Sequence, residues 1–105
     1  MTELKNVTLT KAANIYFEGN VTSRKVVLPD GSVKTLGIMM PGEYTFGTVQ
    51  KELMEILAGE IEILLPTESK WQHISAGQSF SVISNAKFDV KVKTLTDYCC
   101  SYIEE

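Results

Sequence analysis

The sequence predicts an all-β domain folded as a sandwich or barrel, and three observations carry that prediction. Apolar and polar residues alternate with the period of two that a half-buried strand requires. The alternation is cleanest over Lys87 to Lys93, where Phe88, Val90 and Val92 share one face and Lys87, Asp89, Lys91 and Lys93 the other. Turn signals recur at short intervals, at Pro29-Asp30-Gly31, Pro41-Gly42, Ala58-Gly59 and Ser75-Ala76-Gly77. No stretch has a helical period, and there is neither an internal repeat nor a low-complexity segment. At 105 residues the chain is read as a single domain, 1–105, large enough to bury roughly two thirds of its unfolded surface.

Taken in order, Val7 and Leu9 alternate with Thr8 and Thr10, so residues 1–13 read as an N-terminal arm toward a partner chain or an edge strand. Ile15 and Phe17 form the next apolar pair, and Glu18-Gly19-Asn20 turns the chain. Val21 to Leu28 and Val33 to Met40 make a hairpin around Pro29-Asp30-Gly31, so the first forty residues read as a β-meander. Met40 to Pro66 then reads as three short strands. Tyr44, Phe46 and Thr48 share one face, Glu52, Met54 and Ile56 another, and Ile61, Ile63 and Leu65 a third. After a polar loop, Trp71 to Ile74 and the Phe80–Val82 pair precede the Lys87–Lys93 strand, and Tyr98, Cys100 and Tyr102 close the pattern.

Composition narrows the function. A net charge of −3 with no dense basic cluster lacks the footprint of a nucleic-acid polymer binder, and no apolar run approaches the roughly 18 residues of a membrane helix. No secretory signal is read at the start, and adjacent Cys99 and Cys100, alternating to opposite faces, cannot bridge to each other. Both readings place the chain in the cytoplasm. The partner is then a small molecule.

Glu52, six residues and Gly59 resemble the first sequence motif of cupins. The two histidines which that motif carries before its Glu fall here on Phe46 and Thr48, or on Thr45 and Gly47. In the second motif Gly77 matches, while the Pro, Gly and metal-binding His fall on Ile83, Asn85 and Phe88. With one histidine in the chain, the resemblance implies a single-domain cupin-like β-barrel, a jelly roll, from which the metal-binding histidines are absent.

A narrower resemblance covers nearly the whole chain. Tyr16-Phe17, Gly19, Val21, Ser23, Gly37-Ile38-Met39, Gly42-Glu43-Tyr44, Phe46, Thr48, Glu52, Met54, Leu65-Pro66, Trp71, Gly77, Phe80, Val82, Tyr98, Cys100 and Tyr102 make the sequence similar to the bacterial pyrimidine/purine nucleoside phosphorylase family. Ile83-Ser84 departs from it, because a Pro is expected after Val82. The resemblance implies broad-specificity phosphorolysis of purine and pyrimidine nucleosides to free base and ribose 1-phosphate. It also implies a homodimer, no cofactor, and phosphate as co-substrate. The alternative is a non-catalytic, metal-free cupin that binds a nucleoside-like or sugar-like ligand.

The residues themselves allow such chemistry. Cleaving an N-glycosidic bond with phosphate needs donors for the dianion, groups for the ribose hydroxyls, and a proton for the departing base. Glu52, inward beside Met54 and Ile56, is the first catalytic candidate, because desolvation would raise its pKa; Glu43, after the Pro41-Gly42 turn, is the second. Arg24, the sole arginine, is the candidate for phosphate, or else half of a solvated pair with Lys25. Tyr44, Phe46, Thr48, Phe80, Phe88 and Tyr98 are substrate-binding candidates or core, and His73 is a substrate-binding candidate or a surface residue. No metal ligands are assigned.

Overall fold

A computed structural model describes residues 3–104, so the first two residues of the 1–13 segment lie outside the described residues. Eleven strands form in chain order: β1 (Thr8–Leu9), β2 (Asn14–Tyr16), β3 (Val21–Val27), β4 (Val33–Met39), β5 (Gly42–Gly47), β6 (Lys51–Ala58), β7 (Glu60–Leu64), β8 (Gln72–Ser75), β9 (Ser79–Val82), β10 (Lys87–Val92) and β11 (Thr96–Ile103). The one helical element among the described residues is a 3-10 turn at Phe17–Gly19, and no helix there is long and apolar enough to cross a membrane.

The strands make two antiparallel sheets. The larger runs β1-β3-β4-β11-β6-β9, with β2 also paired to β3, and the smaller runs β5-β10-β7-β8. The all-β, jelly-roll-like architecture agrees with the sequence, but the barrel is not closed. β9 in one sheet and β5 and β8 in the other pair on one side only, which leaves a sandwich with open sides. β1 pairs with Val26 and Val27 of β3, at the edge of the large sheet.

The expected periodicity places the core between the sheets. Val21, Met39, Ile56 and Val82 from the large sheet meet Ile61, Ile63, Val90 and Val92 from the small one, all buried. Each such side chain contributes about 1.5–3 kcal/mol relative to staying in water. Ile15 and Phe17 are both exposed: Ile15 lies opposite outward-facing Thr22 on the β2–β3 ladder, and Phe17 follows β2 in left-handed backbone that breaks the alternation.

One glycine lets two strands and a phenol meet. A Cβ at Gly37 of β4 would collide with the Thr22 carbonyl of β3 and stand 2.9 Å from the Tyr98 hydroxyl. That hydroxyl donates to the same Thr22 carbonyl at 3.1 Å.

Candidate active site

A cavity of about 310 Å³ opens between the sheets, at the small end of the range typical for ligand pockets. Its floor comes from the inner face of the large sheet. Val21 and Ser23 come from β3, Thr35 and Met39 from β4, Glu52 and Met54 from β6, and Tyr98, Cys100 and Tyr102 from β11. Phe46 of β5 and Phe88 of β10 form the opposing wall, their rings 5.7 Å apart and inclined by 36°. Tyr16 and Phe17 stand at its rim. One wall is thus aromatic and the other rich in hydroxyls, with a single carboxyl.

Strand register explains the clustering. Glu52 lies opposite Tyr102, and Met54 opposite Cys100, across the β6–β11 ladder, while Cys100 lies opposite Thr35 across β11–β4. Thr35 Oγ1 and the Tyr102 hydroxyl share a hydrogen bond of 3.3 Å. The Cys100 thiol neighbours the Glu52 carboxyl.

Burial raises the Glu52 carboxyl above its ordinary pKa, and the neighbouring Cys100 thiol draws it only partly back. Burial also pushes the Cys100 thiol up, and the nearby Glu52 charge pushes it further. The Tyr102 phenol is pushed up to about 12 by burial, against the opposing bond from Thr35. Tyr98 is raised by burial and then by its neighbour Cys100. The Cys100, Tyr98 and Tyr102 side chains keep their protons near neutral pH. They set hydroxyls and a thiol beside one carboxyl whose raised pKa suits it to proton donation.

Of the residues singled out from sequence, Glu52, Phe46, Phe88 and Tyr98 line this cavity. The others sit elsewhere. Arg24 is exposed, its Nε donating to the Lys11 carbonyl at 3.2 Å, and it alternates away from inward Ser23. Glu43 is exposed opposite Lys91 on the β5–β10 ladder. Tyr44 is buried, with its hydroxyl donating to the Met40 carbonyl at 2.7 Å. Thr48 Oγ1 donates to the Ile83 carbonyl at 2.7 Å and accepts from the Ala86 amide at 3.1 Å. It thereby ties down the loop around Ile83-Ser84. Phe80 packs in the core against Phe88. His73 is exposed, 3.8 Å from Glu60.

Sequence reasoning did not assign Tyr16, Phe17, Ser23, Thr35 or Cys100 to the site, and it left Tyr102, like Tyr98, between substrate contact and core. Tyr102 and Cys100 were visible as inward partners of Tyr98, and Ser23 as the inward neighbour of Val21. No Lys or Arg of the described residues lines the cavity. Lys25 alternates with Ser23 on the inward register of β3, directly opposite Thr35, and is exposed. No three His, Cys, Asp or Glu side chains of the described residues gather into a metal-binding group.

Fold and cavity together define a small cupin-like sandwich with an internal carboxyl–phenol pocket facing an aromatic wall. Cupin-like Fe(II) HppE is similar in fold alone, at a TM-score of 0.72 and 11% identity, over 88% of this chain and 55% of that one. A protein of unknown function from Acinetobacter sp. ADP1 is similar at a TM-score of 0.93 and 35% identity, covering 96% of this chain and 98% of that one.

A family model described as pyrimidine/purine nucleoside phosphorylase matches residues 11–102. A protein of that name from Colwellia psychrerythraea is 66% identical over 103 residues, 98% of this chain and 99% of the relative. The chain belongs to the pyrimidine/purine nucleoside phosphorylase family.

Proposed function

We propose that the chain is a pentosyltransferase that cleaves purine and pyrimidine nucleosides with phosphate, releasing free base and ribose 1-phosphate. The observation that carries this reading is a carboxyl whose pKa burial raises, set in an aromatic-walled pocket, in a chain of this family. A phosphate oxygen attacks C1′ while the C1′–N bond breaks and its electron pair leaves with the base. The Glu52 carboxyl gives its proton to the base nitrogen and regains one from the hydrogen phosphate, so that charge and protons balance. The sugar passes through a cation-like state, as in glycoside hydrolysis. Ser23, Thr35 and Tyr102 supply hydroxyls for the ribose and phosphate oxygens.

The reading needs no metal or other cofactor. It takes nucleosides and phosphate as partners and places a homodimer in the cytoplasm, since two unpaired cysteines suit a reducing compartment. One-sided edges at β5, β8 and β9 support self-association.

A non-catalytic binder of a nucleoside-like ligand is the second reading, favoured by the lack of a cation among the described lining residues. The decisive experiment incubates the protein with adenosine, guanosine, uridine and cytidine, with and without phosphate, and measures free base. Base released only with phosphate is the expected result. Release without phosphate would make the protein a hydrolase, and tight binding without release would favour the binder.

A further inference from the structure

The chain crosses the rim of the cavity in unusual backbone. Phe17, Glu18 and Gly19 have φ of 49°, 58° and 96° in succession. A glycine adopts such values freely, but a bulky aromatic rarely does, and it persists there only when its surroundings hold it. Asn20 does so from two atoms. Its backbone N–H and its side-chain Nδ2 both donate to the Phe17 carbonyl, at 3.1 and 3.0 Å. The Asn20 carbonyl in turn accepts from the Met40 amide at 2.7 Å, which anchors the turn to the end of β4.

The strain does not serve core packing, since Phe17 remains 43% exposed. What the turn achieves is a position. Phe17 lines the cavity, its ring 4.9 Å from that of Tyr44 and 5.7 Å from that of Phe46, edge-on to the latter at 89°. The aromatic wall of Phe46 and Phe88 is thereby extended to the rim by a ring that is half in water. The cavity's polar side chains Ser23, Thr35, Tyr98 and Cys100, by contrast, are buried.

From this juxtaposition we propose that Phe17 is the stacking platform for the nucleobase at the cavity rim and that Asn20 is the residue that positions it. The substrate then enters ribose first, with a flat ring of either size on the Phe17 face, since stacking on a ring face makes no demand on the edge pattern of the base. The inference rests on the nucleoside reading above and adds which end of the ligand goes where.

The test reads binding without phosphate, so that it is independent of turnover. Titration calorimetry with adenosine, uridine and ribose as probes is run on the whole chain and on Phe17→Ala, Phe17→Leu, Phe17→Trp and Asn20→Ala. Both Phe17→Ala and Phe17→Leu are expected to weaken both nucleosides by roughly 5- to 150-fold, the range for loss of one base–aromatic stack, and to leave ribose unchanged. Phe17→Trp retains affinity. Asn20→Ala, which touches no ligand, weakens the nucleosides in the same direction and raises their KM with kcat nearly constant.

Phe17→Leu keeps apolar bulk against Tyr44 and Phe46, so loss of affinity in a variant with a native melting curve is not misfolding. Equal nucleoside affinity in the wild type and in Phe17→Leu overturns the proposal even if phosphorolysis is observed. Phe17-dependent binding without phosphorolysis sustains it while the catalytic reading falls.

Discussion

Replacing Gly37 with Ala should be among the most damaging single-methyl additions to this protein. The added Cβ meets the backbone carbonyl of Thr22, which is fixed in the β3–β4 ladder, and presses on the Tyr98 hydroxyl from 2.9 Å. Backbone cannot swing aside as a flexible side chain can, so β3 and β4 must part locally. Overpacking of this kind costs about 1–3 kcal/mol. Loss of the hydrogen bond from Tyr98 to Thr22 adds about 0.5–1.5 kcal/mol.

With an unfolding entropy of about 2.1 cal/mol/K per residue, each kcal/mol lowers the midpoint of a chain this size by about 4–5 °C. The expected fall in Tm is therefore roughly 7–20 °C by calorimetry or circular dichroism. Tyr98→Phe alone should lose only the hydrogen-bond share. Combined with Gly37→Ala it should cost less than the two changes added together, because the crowded hydroxyl is already gone. A Gly37→Ala variant that melts within 3 °C of the parent would refute the close-approach argument.

Glu52→Gln should lower kcat and kcat/KM together by roughly 10²-fold or more if the carboxyl transfers a proton, read from initial rates of base release. Because the folded pKa of Glu52 lies above its unfolded value, the folded state holds the proton longer. Stability therefore falls as pH rises from the ordinary Glu range through the raised value. Urea titrations across that window should show this slope in the parent and lose it in Glu52→Gln. Arg24→Ala should leave the KM for phosphate within about twofold in initial-rate assays, since its guanidinium faces away from the cavity. A several-fold rise would restore Arg24 as the phosphate residue.

Strand existence and facing were legible because they depend on a period of two and on turn chemistry, both local in sequence. The inward set Glu52, Met54 and Ile56, the pairing-ready Tyr98, Cys100 and Tyr102, and the aromatic pair Phe46 and Phe88 all follow from alternation. Parity also pointed Arg24 outward from Ser23, but a buried Val26 on the outward register of the same strand blurs that signal. Tyr16 and Phe17 escaped notice for a different reason. Left-handed backbone erases periodicity, and nothing in the residue types Phe and Glu announces a positive φ. Closure of the barrel was not legible either, because it depends on which edges find partners across the molecule.

The single tryptophan lies outside all of this. Trp71 sits on the outer side of the small sheet with the Lys91 ammonium 4.2 Å from its ring, while three of the four tyrosines, Tyr16, Tyr98 and Tyr102, line the cavity. Excitation at the red edge of the absorption band therefore reports on a surface that ligand does not touch. Shorter wavelengths excite the phenols as well, and three of these line the cavity. The protein thus carries an indole outside the cavity as an internal reference for the phenols within it.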